Sequence, residues 1–189
     1  MNLIFNIFFR FLLIILLIFL TPFILLISLI IKFSSKGSIF HWSKRVGKNN
    51  DIFYMPKFRT MEMNTPDVAT HLLKNHSDYT FSFGAFLRKT SLDEIPQLIS
   101  IIQGKMNLVG PRPALYNQYD LIKLREENNI HYLKPGVTGW AQVNGRDDIS
   151  IEKKVLFEKE YLDKKSIKFD VYILLLTIIN VLSRKNINH

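Results

Sequence analysis

Cysteine is absent from the 189 residues of this chain, which excludes disulfide bonds and any chemistry at a thiol. This absence says little about the cellular compartment. Internal repeats and low-complexity tracts are also missing after the N-terminus. The length is enough for one domain of ordinary size with a real hydrophobic core.

Charge is absent from a run of 21 residues between Phe11 and Ile31. A straight helix of this length is about 32 Å long, which matches the thickness of the hydrocarbon core of a bilayer. A cleaved signal peptide fits poorly, because the run is too long and no small-residue cleavage site follows it. The run therefore predicts a membrane helix, and by length alone a single spanning anchor is one alternative.

Thr21 and Pro22 lie near the middle of the run and favour a second alternative. Proline removes one helical hydrogen bond and clashes with the preceding turn, so we expect a kink there. The Thr21 hydroxyl can satisfy a freed carbonyl, which makes such a break tolerable in lipid. A kinked helix can enter and leave the bilayer by the same face. The residues alone leave a spanning helix and a re-entrant helix both open for residues 1–33.

Positive charge is in excess, because 25 Lys and Arg against 16 Asp and Glu give a formal net charge of +9. A basic surface indicates an anionic partner, which could be nucleic acid, an acidic membrane leaflet or a phosphorylated substrate. A cluster of cations follows the apolar run and comprises Lys32, Lys36, Lys44, Arg45 and Lys48. The cluster places the domain of residues 34–189 on the cytoplasmic side, against an anionic leaflet. We therefore do not expect nucleic-acid binding.

The segment after the membrane helix predicts a small β-hairpin. In residues 37–61, apolar and aromatic runs flank the turn-rich sequence KNND, and Pro56 indicates an edge strand or the end of a strand. Residues 62–81 predict a loop and a short helix. His71 and His76 in this segment lie five residues apart, which is not the usual helical spacing of metal ligands, so surface histidines are the better interpretation.

The C-terminal half predicts helices. Residues 114–129 form an amphipathic pattern with Leu115, Tyr119 and Ile122 on one stripe. Residues 132–146 are glycine-rich and predict an irregular segment.

Two more helices are expected, at 150–166 with Ser150 as N-cap and at 169–186 with Asp170 as a candidate cap. The last one has an apolar run of only about a dozen residues, so it is either buried or lies in the membrane interface. The expected fold class is α+β, a mostly helical membrane-associated domain with a small hairpin and interfacial helices.

Asp93 and Glu94 stand in an otherwise apolar stretch, TSLDEIPQLISII. One interpretation is a capping box, with Ser91 as N-cap and Glu94 as the third helical residue. Pro96 disfavours that register and favours a helix that starts near Asp93. In either register the two acids lie at a helix N-terminus, where the dipole favours their ionised forms. The spacing alone leaves helix capping and catalysis both open.

Arg112 lies between Pro111 and Pro113, which fix the backbone around it. A rigidly held guanidinium is suited to phosphate oxygens, although an ordinary surface arginine in a proline turn would show the same pattern. Further cations accompany the acid pair along the chain, namely Lys57, Arg59, Arg88 and Lys89. Cations that gather around two carboxylates suit a site for a diphosphate with a metal.

Four ordered blocks carry a resemblance to a known family: KFRTM, LRKTSLDEIPQL, GKMNLVGPRP and KPGVTGWAQVNGR. Together they resemble the bacterial sugar transferase family, in its small membrane-inserted form. The likeness runs from about Gly37 to the C-terminus. The chain departs from the family at Thr21, where a serine is usual before the proline, and around Ser38 and His41 before and within the first strand.

The resemblance implies a phosphoglycosyl transferase that moves a sugar 1-phosphate from a UDP-sugar to polyprenyl phosphate and releases UMP. It implies Asp93 as the nucleophile that forms a covalent phosphosugar intermediate, and Glu94 with Asp93 as the site of Mg²⁺. It further implies a donor site, for which the candidates are Arg112, Lys57, Arg59, Arg88, Gln142, Asn144 and Arg146. Together with the kink at Thr21 and Pro22, the resemblance implies that residues 1–33 form a re-entrant helix. The expected location is the cytoplasmic face of the bacterial inner membrane.

Two other functions remain open from the residues alone. Paired acids, Mg²⁺ and arginines would also suit a membrane-tethered phosphohydrolase, and a basic membrane-binding scaffold could use the acids as caps. No motif in the chain identifies the sugar.

Overall fold

The computed structural model describes residues 3–65, 79–145 and 149–183. The chain forms two compact units, Met1–Trp42 with Pro56–Gly104 and Ser43–Met55 with Lys105–His189. Helices and short strands alternate along it, so the predicted helix-rich α+β class is confirmed. Residues 66–78 of the segment predicted as a loop and a short helix, which include His71 and His76, lie outside the described residues, as does Arg146.

The elements are helices α1 (Leu3–Ser34), α2 (Ser82–Thr90), α3 (Leu98–Ile102), α4 (Tyr119–Glu127), α5 (Trp140–Val143), α6 (Ile151–Lys164) and α7 (Ile167–Leu182). The strands are β1 (Phe40–Val46), β2 (Ile52–Phe58), β3 (Asn107–Val109) and β4 (Gly136–Thr138). Three short 3₁₀ helices complete the described part: Lys48–Asn50, Leu92–Gln97 and Ile130–Tyr132. β1 pairs with β2 around the turn at Lys48–Asn50, which confirms the predicted hairpin.

Helix α1 is the dominant element of the first unit. It has 32 residues, and from Ile7 to Ser34 it is long and apolar enough to cross a membrane. Ile27 and Ile31 on one face are buried in an apolar cluster with Phe58, Phe81 and Leu87. Most of its other apolar side chains are exposed, as expected of a helix surrounded by lipid.

The helix continues through Pro22. Because Pro22 has no N–H, the carbonyl of Ile18 loses its helical partner. The Thr21 hydroxyl donates to the carbonyl of Leu17 at 3.0 Å. The hydroxyl is therefore bonded to the carbonyl of Leu17 and not to the freed carbonyl of Ile18, so the role predicted for Thr21 was wrong. The kink and the re-entrant path stay predictions.

A two-stranded parallel sheet lies in the second unit, where the glycine-rich segment 132–146 was expected to be irregular. β3 pairs with β4 in the register Asn107 to Gly136 and Val109 to Thr138. A side chain at Gly110 or Gly136 would collide with the facing backbone, so glycine is required for this close approach. Strands of three residues are too short to show an alternating pattern, and for that reason the sheet was missed.

The C-terminal helices pack on β3 and β4 around one apolar core. Ser150 caps α6 and accepts a hydrogen bond from the amide of Lys153 at 3.3 Å, as predicted. The cap of α7 is Ser166, which accepts from the amide of Phe169 at 3.2 Å. Asp170 is therefore not the cap. Its carboxylate accepts a hydrogen bond of 2.7 Å from the hydroxyl of Tyr161.

Burial raises the pKa of the Tyr161 hydroxyl, and the bond to Asp170 raises it further, so this hydroxyl stays protonated as a donor.

Two faces of α7 differ in exposure. Ile173 is fully buried, and the Thr177 hydroxyl lies 2.8 Å from that of Thr138. The opposite face exposes apolar side chains, which are Val171, Tyr172, Leu175, Ile178 and Ile179. Such a face is compatible with the interfacial position predicted for this helix.

Helix α4 is shorter than the predicted helix 114–129, and its buried face is a different one. Tyr119 is 73% exposed, whereas Leu121 and Arg125 are buried. The predicted stripe of Leu115, Tyr119 and Ile122 was wrong because Leu115 precedes the helix. The buried positions include an arginine, which hydrophobic periodicity does not detect.

Arg125 is buried against Glu158 of α6 in a bidentate ion pair. Its Nε lies 2.7 Å from Oε2, and its Nη2 lies 2.5 Å from Oε1. Nη2 also donates to the backbone carbonyl of Arg112 at 2.8 Å. Removal of one member of a buried pair leaves an uncompensated charge, which is far costlier than loss of both members.

We expect Arg125→Met to lower the free energy of unfolding by about 3–5 kcal/mol. The double variant with Glu158→Leu should recover most of this loss, because no buried charge then remains alone. The measurement is urea denaturation of the purified protein in detergent, with Lys164→Met of the exposed Glu160 pair as a control expected to change little. A double variant no more stable than the single one would contradict this account.

Candidate active site

The acid pair lies in the short 3₁₀ helix that follows α2. Ser91 ends α2 with a left-handed backbone, φ 57°, and the chain then turns directly into Leu92–Gln97. The Ser91 hydroxyl is buried and has no hydrogen-bond partner among the described residues. The helix begins at Leu92 with Ser91 as its N-cap residue and Glu94 as the third helical residue, which is the register of the capping box, but the Ser91 side chain makes no cap hydrogen bond. The alternative register, with a start near Asp93 and Pro96 in the first turn, was wrong.

A 3₁₀ helix has three residues per turn, so residues three apart lie in one row. Leu92 and Ile95 form the row that packs against the apolar cluster of α1. The next row contains Asp93, which is 8% exposed, and buried Pro96. The third row contains Glu94 and Gln97. The apolar row anchors the helix, and the other two hold the carboxylates at its surface.

Lys57 near the end of β2 contacts both acids. Its Nζ lies 2.9 Å from Oε1 of Glu94 and 3.8 Å from Oδ2 of Asp93. The three side chains are between 12% and 15% exposed, so the cluster is largely withdrawn from water. One ammonium group against two carboxylates leaves a net charge of −1 among these three groups. The structure thus brings together three of the predicted site residues.

The donor set of this cluster fits Mg²⁺. This ion is usually bound by one or two carboxylates and completes its octahedron with water and substrate phosphate oxygens. Asp93 and Glu94 are two adjacent carboxylates with residual negative charge. The described residues contain no group of three or more His, Cys, Asp and Glu side chains that could hold a metal alone. The site therefore suits a metal that is shared with a phosphate ligand.

Arg59, a predicted substrate contact, forms its hydrogen bonds within the protein. It is 4% exposed, and its guanidinium donates to the hydroxyl and carbonyl of Ser35 and to the carbonyls of Lys36 and Ser38. Four of its five N–H donors are thereby bonded within the first unit. Arg59 is a structural residue of the chain segment after α1, and we do not retain it as a substrate ligand.

The backbone around Arg112 is held at four consecutive carbonyls. Those of Pro111 and Ala114 accept from the amides of Gly136 and Val46, each at 2.9 Å. Those of Arg112 and Pro113 accept from the guanidinium groups of Arg125 and Arg45, at 2.8 and 3.0 Å. The two prolines are buried, and the Arg112 side chain is partly exposed. The predicted rigid presentation of this arginine is thus a property of the second unit.

The remaining predicted contacts are distributed over both units. Arg88 lies in the last turn of α2, partly buried. Gln142 on α5 has both amide atoms buried without a hydrogen-bond partner among the described residues. Asn144 is exposed and donates to the carbonyl of Trp140 at 2.8 Å. A buried amide without a hydrogen-bond partner destabilises the folded protein by about 1–3 kcal/mol. A bound ligand that pairs with the Gln142 amide would remove this cost, so Gln142 suits a ligand contact.

Sequence reasoning missed three polar residues of the first unit, two beside Arg59 and one in the helix of the acid pair. Ser35 and Glu62 bond each other at 2.8 Å beside Arg59, and no sequence pattern links them across 27 residues. Gln97 is 1% exposed, and its amide nitrogen has no partner in the described part of the chain. The three-residue spacing from Glu94 could have indicated Gln97, but only with knowledge of the 3₁₀ geometry.

An acid pair bound by a lysine, in the same unit as a long apolar helix, suits an enzyme that acts on phosphates at a lipid surface. The family model of the bacterial sugar transferases matches residues 1–184. The chain therefore belongs to the bacterial sugar transferase family.

Named relatives share between a third and two fifths of their aligned residues with this chain. UDP-glucose:undecaprenyl-phosphate glucose-1-phosphate transferase of Xanthomonas campestris pv. campestris is 38% identical over 173 residues, which are 87% of this chain and 36% of that protein. Exopolysaccharide production protein ExoY of Rhizobium meliloti is 38% identical over 176 residues, 84% of this chain and 76% of ExoY. Undecaprenyl-phosphate galactose phosphotransferase of Salmonella typhimurium is 35% identical over 166 residues, 78% of this chain and 34% of that protein. The chain spans only about a third of the length of two of these relatives.

We expect Lys57→Met to lower the stability of the purified protein by about 1–3 kcal/mol, because two largely buried carboxylates then lose the ammonium group of Lys57. Millimolar Mg²⁺ should restore more stability to this variant than to the unaltered protein, since a bound cation can replace the ammonium charge. Thermal unfolding with and without Mg²⁺ measures both effects.

The control is Lys159→Met, which removes an exposed pair with Asp163 and should change stability by less than about 1 kcal/mol, with the same response to Mg²⁺ as the unaltered protein. Equal Mg²⁺ responses in the unaltered protein and both variants would mean that the acid pair does not bind the ion.

Proposed function

We propose that this protein transfers a sugar 1-phosphate from a UDP-sugar to polyprenyl phosphate and releases UMP. The observation that carries this proposal is the buried pair Asp93 and Glu94, held by Lys57 in a chain of the bacterial sugar transferase family. The relatives that are named for undecaprenyl-phosphate sugar transfer support the same reaction class. The product would begin the assembly of a membrane glycoconjugate.

The reaction has two displacements at the same phosphorus. A carboxylate oxygen of Asp93 attacks the phosphorus that carries the sugar, and the bond from that phosphorus to the UMP oxygen breaks. UMP leaves with the bonding electron pair, and an acyl phosphosugar remains on Asp93. A phosphate oxygen of the polyprenyl phosphate then attacks this phosphorus and displaces the Asp93 carboxylate. The products are UMP and a polyprenyl diphosphate sugar.

Charge neutralisation is the main requirement of both steps, because a carboxylate must approach an anionic diphosphate. Lys57 holds the acid pair and offsets one of its two charges. Mg²⁺, held by Glu94 with Asp93, would supply further positive charge to the phosphate oxygens. Arg112, with its planar fork of donors, stays a candidate for a phosphate of the donor, and Gln142, with an amide unpaired among the described residues, stays a candidate for a hydrogen-bonding edge.

We expect a sugar phosphate to accumulate on Asp93 when the protein is given a labelled UDP-sugar without lipid acceptor. Asp93→Asn should keep the fold but lose at least about 10³-fold in turnover, because an amide is a poor nucleophile at phosphorus. Protein mass spectrometry and UMP release with a panel of UDP-sugars measure these outcomes, and the panel also identifies the sugar.

Three results separate this function from its alternatives. UMP release that needs polyprenyl phosphate for continued turnover supports the transferase. Hydrolysis of the diphosphate without any lipid would indicate a phosphohydrolase. An Asp93→Asn protein with substantial activity would remove Asp93 from the chemistry, and no activity in either protein would leave a membrane-binding scaffold.

The proposed membrane path is re-entrant, with both ends of the apolar run at the cytoplasmic surface. Ile31 near one end is buried against the cluster of the first unit. The Arg10 side chain at the other end lies close to Gly104 of the same unit. A Cβ atom added to Gly104 would be 2.5 Å from Nη2 of Arg10. A helix that spans the bilayer would carry Arg10 about 30 Å away, to the opposite surface. These two contacts support a path that returns to one side.

We expect a single cysteine introduced as Asn2→Cys to resist an impermeant thiol reagent on intact cells, because the N-terminus lies inside. The chain has no native cysteine that would confuse the result. Thr21→Ala with Pro22→Ala removes the cause of the kink and should expose the tag to the outside. Labelling of the unaltered helix from outside the cell would show that it spans the membrane.

A further inference from the structure

Three consecutive side chains at the end of β2 connect the acid pair to the end of α1. Lys57 binds Asp93 and Glu94. Phe58 is 1% exposed, packs in the cluster with Ile27 and Ile31 of α1, and stacks on Phe40 with ring centres 5.4 Å apart. Arg59 binds the chain that leaves α1. We call residues 57–59 the strut.

The Arg59 end of the strut is the more extensively bonded one. Nε donates to the carbonyl of Ser38 at 2.5 Å, and Nη2 donates to that of Ser35 at 2.9 Å. Nη1 donates to the Ser35 hydroxyl at 2.7 Å and to the Lys36 carbonyl at 3.0 Å. These acceptors follow directly on the last residue of α1, where carbonyls lack helical partners and a positive charge is favourable.

Two further contacts strengthen this end. The Ser35 hydroxyl accepts a hydrogen bond from Arg59 and donates one to Oε2 of Glu62 at 2.8 Å. The guanidinium carbon of Arg59 lies 5.6 Å from the centre of the Phe81 ring, a favourable cation–π distance. The exit of α1 therefore has a defined position relative to the strand that carries Lys57.

This geometry matters because the two substrates of the proposed reaction reach the acids differently. A nucleotide sugar is dissolved in water and can bind to the site at any height of the site above the bilayer. The phosphate of a polyprenyl chain is confined to the lipid surface, at a height fixed by the bilayer. A misplacement of about 1 Å can cost about 10²-fold in rate. The lipid step therefore depends on the height of Asp93 above the end of α1, whereas the nucleotide step does not.

We propose that Arg59 is a positioning residue that sets the height of the acid pair over the membrane for the lipid-borne phosphate. The inference rests on the proposed two-step function. Through the strut, Arg59 holds Lys57, and with it Asp93 and Glu94, at a fixed distance from the end of the membrane helix. Arg59 binds no substrate itself, because its guanidinium is buried and bonded within the chain.

The test separates the two steps in the full-length protein. Exchange of labelled UMP into a UDP-sugar without lipid reports the first step. Turnover with undecaprenyl phosphate in lipid nanodiscs reports the second step at a real bilayer. Turnover with a short-chain polyprenyl phosphate in detergent reports the second step with an acceptor that is free to change its depth.

Arg59→Lys keeps the charge but cannot reach the acceptors of the planar guanidinium. We expect exchange within about twofold of the unaltered protein, a loss of at least about tenfold in nanodiscs, and recovery to within about threefold with the short acceptor. Retained exchange also shows that the variant is folded. Ser35→Ala is a milder variant that removes one acceptor and the tie to Glu62, and it should show the same pattern in smaller degree.

Arg45→Lys is the matched control, because Arg45 also donates to a loop carbonyl but lies in the second unit. Arg45→Lys should leave the ratio of the UMP exchange rate to the lipid turnover rate in nanodiscs unchanged. Equal losses of exchange and lipid turnover in the Arg59 and Ser35 variants, or a defect that the short acceptor does not relieve, would overturn the positioning role. Absence of exchange in the unaltered protein would instead reject the two-step reaction, and the positioning role with it.

Discussion

The contact of one lysine with two consecutive carboxylates is the interaction on which the first unit depends. Two unit charges about 4 Å apart interact by roughly 4 kcal/mol at an effective dielectric constant near 20. The Nζ of Lys57 lies 2.9 Å from Glu94 and 3.8 Å from Asp93, so it attracts both carboxylates where water is largely excluded. A strand end, a 3₁₀ helix and the helix before it must all be placed to within an ångström for this contact to form.

The same strand end also touches α1, so the acid pair and the long apolar helix contact one structural element. Phe58 packs on the apolar face of α1, and Arg59 binds the backbone where α1 ends. The buried face of α1 is narrow, and its remaining surface is apolar and exposed. A helix of this kind has no partner in water, and lipid is the environment that suits it.

The second unit has a different cause of rigidity. Its proline-flanked arginine loop is bonded at four carbonyls in succession, and one donor is the Arg125 that is also paired with Glu158. A buried ion pair is weak support for stability, because desolvation offsets much of its attraction. Here the pair has a second effect, since it orients a guanidinium toward the loop backbone. Arg112 is thereby presented from a backbone that has little freedom to move.

Local patterns in the chain were enough to identify the apolar helix, the hairpin around KNND, the cap at Ser150 and the acid pair, because each depends on neighbours in sequence. They were also enough, through four ordered motifs, to indicate the family. The tertiary structure alone decided which cation holds the acids, since Lys57 and Glu94 are 37 residues apart. It likewise assigned Arg59 to the chain rather than to substrate, Asp170 to Tyr161 rather than to a cap, and segment 136–138 to a parallel strand. The physical reason is that a charged side chain takes the partner that folding brings within hydrogen-bond distance, and no local spacing specifies that partner.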